Sequence, residues 1–135
     1  MRQQGKVSLW TGTAKTESEF RSVLRVEFDA KGDFRGSAFS RGFALGRYDD
    51  SKREAFRHPD APHTLDAFLR DVSYEKIVLE GLKAAGAVVG PGDDCYVLLY
   101  DFCFGGAVTA RWESGGVSLR FVAVSDFESD ESTPS

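Results

Sequence analysis

The sequence is poor in the residues that most often reveal a function directly. Its 135 residues include two cysteines, two histidines and four prolines. Two cysteines cannot build a disulfide scaffold, and two histidines supply few zinc ligands. The start of the chain, MRQQGKVSLW, lacks an apolar run of signal-peptide length, and no later stretch could span a membrane. We therefore expect a cytoplasmic protein with no membrane partner.

Positive charge is also scarce. The chain carries 17 Lys and Arg residues against 21 Asp and Glu residues, a net charge of −4. Because nucleic-acid binding needs clustered Lys and Arg, we expect no nucleic-acid partner. The imbalance lies in residues 91–135, where 8 acidic and 2 basic side chains give −6, whereas 13 acidic and 15 basic ones give +2 in residues 1–90. We expect residues 1–127 to form the domain and residues 128–135 an acidic, flexible tail.

The two cysteines, Cys95 and Cys103, lie in one apolar run. If that run is a single strand, eight residues at 3.3 Å each separate them by about 26 Å, far beyond disulfide reach. We expect both thiols to be unlinked and buried, as in proteins of a reducing compartment.

What the sequence does contain is a clear β pattern in its last third. CYVLLYDFCF (95–104) is apolar on both alternating faces, as expected of a central strand that is covered on two sides. Gly105-Gly106 and ESGG (113–116) are turn sequences. The segments that follow them, AVTARW (107–112) and VSLRFVAV (117–124), complete a predicted three-stranded meander.

Earlier segments add strands and helices to this sheet. KVSLW (6–10) alternates as a strand, LRVEFD (24–29) predicts a second strand through Val26 and Phe28, and KREAFR (52–57) is ambiguous between an edge strand and irregular structure. Short helices are predicted after four hydroxyl residues that can cap them: Thr16, Ser37, Thr64 and Ser73. The helix after Ser37 should end at Gly46, and the helix after Ser73 should end at Gly86.

These elements predict a single α+β domain. We expect an antiparallel sheet with a C-terminal three-stranded meander plus one or more N-terminal strands, packed against three to four short helices. With 41% hydrophobic residues and eleven phenylalanines, the chain can fill one core without a metal or a disulfide.

The most conspicuous motif is the tripeptide His58-Pro59-Asp60, which J-domain co-chaperones use to stimulate their partner chaperone. A J-domain places this tripeptide between two long helices of an all-helical unit, whereas the second half of this chain is predicted to form strands. Pro59 and Pro62 also disfavour helix in the residues that precede them. We therefore interpret the segment as a proline-rich surface turn that leads into the Thr64 cap.

Other candidate sites are equally weak. His58, Asp60 and His63 lack a fourth ligand at a spacing typical of a metal site. The pairs Asp49-Asp50 and Asp93-Asp94 are adjacent in sequence, so in extended chain their side chains diverge and would not flank one substrate bond. We expect no enzyme, no metal and no cofactor.

Five blocks in order carry a resemblance to a known family: VSLWTG, KTESEF, SAFSRGFALGRYDD, SYEKIV and YVLLYDFCF. The chain resembles the immunity protein 22 family of bacterial polymorphic toxin systems from about Lys6 to Phe127. The resemblance implies that the protein binds and neutralises a cognate toxin without catalysis. The chain departs from the family pattern at residues 51–60, where SKREAFRHPD replaces a more acidic segment. This departure implies a different partner if that edge faces the toxin.

Candidate contacts with the toxin are Tyr48, Asp49 and Asp50, which match the family's YDD-like block, and Asp93 and Asp94, which precede the predicted meander. Acidic residues would suit a toxin with a basic face, because complementary charge raises the association rate. The competing interpretation is that Tyr48 packs and the four acids are solvated turn residues. A scaffold or adaptor module without a toxin is the alternative function, and an enzyme that uses His58 or His63 is a third.

Overall fold

The computed structural model describes residues 2–43, 45, 53–59, 64–69, 75–90, 92–102, 104 and 111–126. These residues form the single α+β domain that the sequence predicts. The described elements are, in chain order, β1 (Arg2–Ala14), α1 (Glu17–Leu24), β2 (Glu27–Phe28), β3 (Phe34–Gly36), α2 (Ala38–Gly42), β4 (Arg53–Arg57), α3 (Leu65–Phe68), α4 (Glu75–Ala84), β5 (Cys95–Phe102), β6 (Arg111–Ser114) and β7 (Val117–Asp126).

Five strands make one antiparallel sheet in the order β4-β5-β1-β7-β6. β1 is the central strand, and its Leu9 lies opposite Leu98 in β5 and Ala123 in β7. The last three strands, β5, β6 and β7, therefore belong to one sheet, and β6 pairs with β7 as predicted. β5 is not paired with β6, as it would be in a simple meander, because β1 lies between β5 and β7. β1 can occupy this position because it is buried on both faces, through Val7 and Leu9 on one side and Trp10 on the other.

The sheet separates two hydrophobic clusters. On one face Trp10 packs against the aromatic rings of α2 and β7, with α1 completing the layer; this cluster includes Phe20, Leu24, Phe39, Phe43 and Phe121. On the other face α3 and α4 cover Val7 and Leu9; this cluster includes Phe68, Leu69, Val78, Leu82 and Tyr96. β5 contributes alternate residues to both clusters, which confirms its prediction as a strand covered on two sides.

Three of the four predicted helix caps are present. Thr16 accepts a hydrogen bond from the Glu19 amide at 3.0 Å, and Thr64 accepts one from the Ala67 amide at 3.3 Å. Ser37 and Ser40 form a reciprocal capping box. α4 is followed by Gly86 in a left-handed conformation (φ 81°), as predicted. The predicted Ser73 cap and the Gly46 stop lie outside the described residues.

α2 is shorter than the sequence suggests, since it ends at Gly42. A Cβ atom at Gly42 would clash with the Trp112 ring, so glycine at this position allows α2 to approach β6 closely. β4, which the sequence left ambiguous, is an edge strand, paired only with β5 among the described strands. None of the described helices is long and apolar enough to cross a membrane.

The prediction of a strand over residues 24–29 is wrong in its extent. α1 continues to Leu24, and only Glu27–Phe28 is a strand, which pairs with β3 in a separate two-stranded sheet. Phe28 is 63% exposed instead of facing a core. The alternating pattern was too short to distinguish a strand of the main sheet from one arm of a small hairpin.

Candidate functional site

The Asp93 side chain forms hydrogen bonds with other residues of its own chain. It is 8% exposed, and its Oδ2 accepts hydrogen bonds from the Gly90 amide at 2.7 Å and from Nη2 of Arg120 at 3.1 Å. The same Arg120 nitrogen donates to the carbonyl of Val88 at 3.5 Å. Asp93 therefore fastens the loop that follows α4 to β7.

Asp94 connects three strands at one end of the sheet. Its Oδ1 accepts from the Ala14 amide at 2.9 Å, and its own amide donates to the carbonyl of Gly12 at 2.8 Å. Its carbonyl accepts from the His58 amide at 2.6 Å, directly after β4. The other three predicted contact residues, Tyr48, Asp49 and Asp50, lie outside the described residues.

A small cleft of about 190 Å³ lies beside Asp93, between β1, β6 and β7. Thr11, Arg120 and Arg111 are successive cross-strand partners in these three strands. Direct cross-strand partners share a sheet face, so the three side chains form one row. We call this site the arginine cleft; its lining consists of Thr11, Gly12, Thr13, Asp93, Arg111, Ser118, Leu119 and Arg120.

Two features of the arginine cleft lower the stability of the folded protein. Thr11 is fully buried, and its hydroxyl has no hydrogen-bond partner among the described residues. Such an unpaired group costs about 1–3 kcal/mol. Arg111 lies directly opposite Arg120, an arrangement of like charges that destabilises a sheet. Asp93 balances Arg120, whereas the exposed Arg111 has no ion-pair partner in the described part of the chain.

A wider depression of about 530 Å³ adjoins the arginine cleft and shares Thr13 and Ser118 with it. It lies between the end of β1 and the tight turn that joins β6 to β7. Gly115 and Gly116 form this turn with φ values of 57° and 83°, which confirms the predicted turn in ESGG. The lining of this depression combines small polar residues with the charged residues Lys15, Asp94 and Glu113.

The hairpin formed by β2 and β3 is the other notable surface. Phe28 is largely exposed, and the only aromatic ring beside it among the described residues is that of Phe34, at 6.3 Å between centroids. Asp29 braces the turn, because its Oδ1 accepts from the amides of Lys31 and Asp33, each at 2.9 Å. The hairpin thus presents an aromatic side chain on a fixed backbone.

Arg41 of α2 anchors the base of this hairpin. Its Nη2 donates to Glu27 at 2.7 Å and its Nη1 to the carbonyl of Arg35 at 2.9 Å. The hydrogen bond and charge of Arg41 lower the pKa of the Glu27 carboxyl below its usual value. Both side chains are about half exposed, so the pair orients the hairpin more than it stabilises the fold.

His58 does not lie free in a surface turn. Its ring stacks on Phe56 (5.9 Å, interplanar angle 6°) and lies near Tyr96 and Phe68, at 6.0 and 6.4 Å. His63 and Asp60 lie outside the described residues. No group of three or more His, Cys, Asp or Glu side chains in the described ranges could hold a metal ion. His58 therefore extends the cluster beneath α3.

Cys95 is a fully buried free thiol at the start of β5. Burial raises the pKa of this thiol well above its usual value, and the neighbouring Asp94 carboxylate raises it further. Neutral and enclosed, Cys95 acts as a small core residue. Cys103, its expected unlinked counterpart, lies outside the described residues.

Sequence reasoning missed both the arginine cleft and the exposed hairpin. The cleft depends on β1 lying beside β7, a pairing between residues more than a hundred positions apart. The hairpin left a weak signal, since Lys31-Gly32-Asp33 is a turn sequence and Phe28 and Phe34 flank it. Charged residues alternate through 25–35, and this pattern is typical of an exposed hairpin.

Comparison with known protein families gives a match over most of the chain. A family model described as Immunity protein 22 matches residues 7–128, from the centre of β1 to just beyond the end of β7. A search of curated proteins and a search of solved structures each found no match. Because the family model covers most of the chain, this protein belongs to the immunity protein 22 family, and membership implies that it neutralises a cognate toxin.

Proposed function

We propose that this protein neutralises its toxin by binding it stoichiometrically and covering its functional surface, with no chemical step of its own. Family membership supplies the partner, a cognate toxin. The observation that carries the mode of action is the braced hairpin with Phe28 exposed at 63%. A large side chain in water on an ordered support is typical of a binding anchor.

The hairpin is suited to this role because it is preorganised. Asp29 holds its turn and Arg41 holds its base, so little conformational freedom is lost when the toxin binds. Phe28 would fill an apolar pocket on the toxin, and the charged residues around it would form the polar rim of the interface. Aromatic anchors of this kind supply most of the affinity at protein interfaces.

Tyr48, Asp49 and Asp50 are proposed as a second contact. Their match to the family's YDD-like block supports this assignment, as does the net charge of −4. A basic toxin face would approach these acids faster than an uncharged face would, since complementary fields steer the encounter. We infer that Asp93 and Asp94 contribute to binding by holding the loop and Arg120 in place, given their hydrogen bonds within the chain.

The toxin is proposed to act in the cytoplasm, where the immunity protein would intercept it. The free thiol of Cys95 supports a reducing compartment. A cytoplasmic toxin with a basic face would act on targets such as nucleic acid, nucleotides or the translation machinery.

Co-purification from the native host, followed by mass spectrometry, tests the proposal. We expect a single toxin, encoded next to this gene, to be recovered in equimolar amount with the wild-type protein and in reduced amount with Phe28→Ser. The Val88→Ser variant is the control, because Val88 is equally exposed (68%) on the loop after α4. Recovery of several unrelated proteins and no toxin would instead support the adaptor alternative.

A further inference from the structure

We propose that the arginine cleft receives a carboxylate side chain, Asp or Glu, from the bound toxin. The inference rests on the proposed function, since it requires a toxin bound to this surface. It adds a second, polar point of recognition at a site distinct from the hairpin of Phe28. It also predicts that the toxin's contact surface carries at least one acidic residue within its basic face.

The position of the three key side chains supports a single small ligand. Thr11, Arg120 and Arg111 lie side by side on β1, β7 and β6. Neighbouring strands are about 4.8 Å apart, so a carboxylate above this row could reach a hydroxyl and a guanidinium together. Asp93, which also lines the cleft, accepts from Nη2 of Arg120 at 3.1 Å, so the other N–H groups of this guanidinium remain as donors.

A bound carboxylate would supply a hydrogen-bond acceptor and a negative charge to two groups of the cleft. Among the described residues, the fully buried Thr11 hydroxyl has no hydrogen-bond partner, and Arg111, which faces Arg120, has no counter-ion. A bound carboxylate would accept from the hydroxyl and offset the repulsion between the two guanidinium groups. Local features that weaken a fold are concentrated at functional sites, where the ligand compensates for them.

Charge and size select a carboxylate over a phosphate or a nucleotide. The charged groups that line the cleft are Arg111, Arg120 and Asp93, and their sum is +1. One negative charge balances this sum, whereas a phosphate dianion would leave an excess beside the Asp93 carboxylate. A volume of about 190 Å³ admits a side-chain carboxylate and is below the roughly 300 Å³ of a typical small-molecule pocket.

The first experiment uses the free protein and acetate as the probe. NMR signals of the Thr11 amide and of the arginine side chains are followed during titration with sodium acetate, against sodium chloride at equal ionic strength. We expect saturable shifts at Thr11, Arg111 and Arg120 with acetate, and their loss in Thr11→Val and Arg111→Gln. Arg21→Gln on α1 is the charge-matched control and should behave as wild type. Equal shifts with chloride, tighter binding of inorganic phosphate than of acetate, or unchanged shifts in both cleft variants would overturn the assignment.

Thr11→Val separates a binding role from a structural one. The substitution keeps the shape of the side chain and removes the unpaired hydroxyl, so the free protein should resist urea at least as well as wild type. Toxin binding should nevertheless weaken about tenfold or more, as it should in Arg111→Gln. A less stable protein, or toxin affinity within about twofold of wild type in both variants, would contradict the proposal.

Together, these experiments distinguish a failure of the cleft proposal from a failure of the proposed function. If the wild-type protein binds no toxin, the proposed function fails, whatever the acetate titration gives. If it binds the toxin through Phe28 while Thr11→Val and Arg111→Gln bind equally well, the cleft proposal alone fails.

Discussion

Nη2 of Arg120 donates to Oδ2 of Asp93 at 3.1 Å, across the gap between β7 and the loop that follows α4. The sequence indicated Asp93 as a candidate contact with the toxin. Its side chain is 8% exposed and forms its hydrogen bonds within the fold. The same contact shapes one wall of the arginine cleft. Asp93 thus connects the architecture of this protein to its proposed binding surface.

Replacing Asp94 tests this architecture. In Asp94→Ala the Ala14 amide, on a residue that is 2% exposed, loses its acceptor. We expect the free energy of unfolding to fall by about 1–3 kcal/mol in urea titrations. Asp33→Ala, at the exposed turn of the hairpin, is the control and should stay within about 0.5 kcal/mol of wild type. Equal unfolding midpoints for the two variants would contradict the role given to Asp94.

The reactivity of the Cys95 thiol tests its burial. The measurement uses the Cys103→Ser variant, in which Cys95 is the only thiol. Because burial raises the pKa of the Cys95 thiol, the folded protein should react slowly with a thiol reagent from pH 7 to 9. In urea the same thiol should react at once. The folded state retains a proton that the unfolded chain loses above about pH 8.5, so stability should decline as the pH rises past that value. Rapid labelling of the folded protein would show that β5 does not enclose this side chain.

Local signals predicted much of this fold, whereas pairings between distant segments could not be predicted. Thr16, Ser37 and Thr64 cap their helices as expected, since a cap depends on residues three positions apart. The place of β1 between β5 and β7 joins residues that are 83 or more positions apart in sequence. Alternation could show that β1 is a strand, but it could not show which strands lie beside it.

The candidate site was less predictable than the fold. The sequence indicated Asp93 and Asp94 as candidate toxin contacts, with solvated turn residues as the competing interpretation. The direction of their side chains depends on Arg120, Gly90 and Ala14, which only the fold brings to them. Thr11 carried no signal at all, because a threonine in a strand is ordinary until its hydroxyl is found buried, with no partner in the described part of the chain. Functional surfaces built from side chains on distant strands leave little trace in a single sequence.

Phe28 should contribute to toxin binding and little to folding. In Phe28→Ser we expect the unfolding free energy to stay within about 1 kcal/mol of wild type, because the side chain is mostly in water. The toxin dissociation constant should rise by about thirtyfold, the effect of losing a 2 kcal/mol anchor. Calorimetry of both variants measures the difference, with Val88→Ser as the exposed apolar control. An unchanged affinity would place the interface elsewhere.

Charge reversal at Asp49 and Asp50 tests electrostatic steering. The double change to Lys should lower the association rate constant more than it raises the dissociation rate constant. The wild-type association rate should fall with added salt, since the Debye length shrinks to about 8 Å at 0.15 M. A double reversal at Asp66 and Glu80, both exposed on α3 and α4, changes the net charge equally and should have the smaller effect. An association rate independent of salt would argue against a basic toxin face.

The central claim is that neutralisation is binding without chemistry, and the dependence of toxin activity on molar ratio tests it most directly. Fixed toxin is mixed with increasing amounts of the immunity protein, and residual toxin activity is measured after short and long incubation. Stoichiometric binding predicts a linear decline that reaches zero at equimolar protein, is the same at both times, and is reversed when denaturant separates the two chains and the toxin is refolded alone. Complete loss of activity at substoichiometric immunity protein, progressing with time and persisting after separation, would show that the protein acts as an enzyme on its toxin.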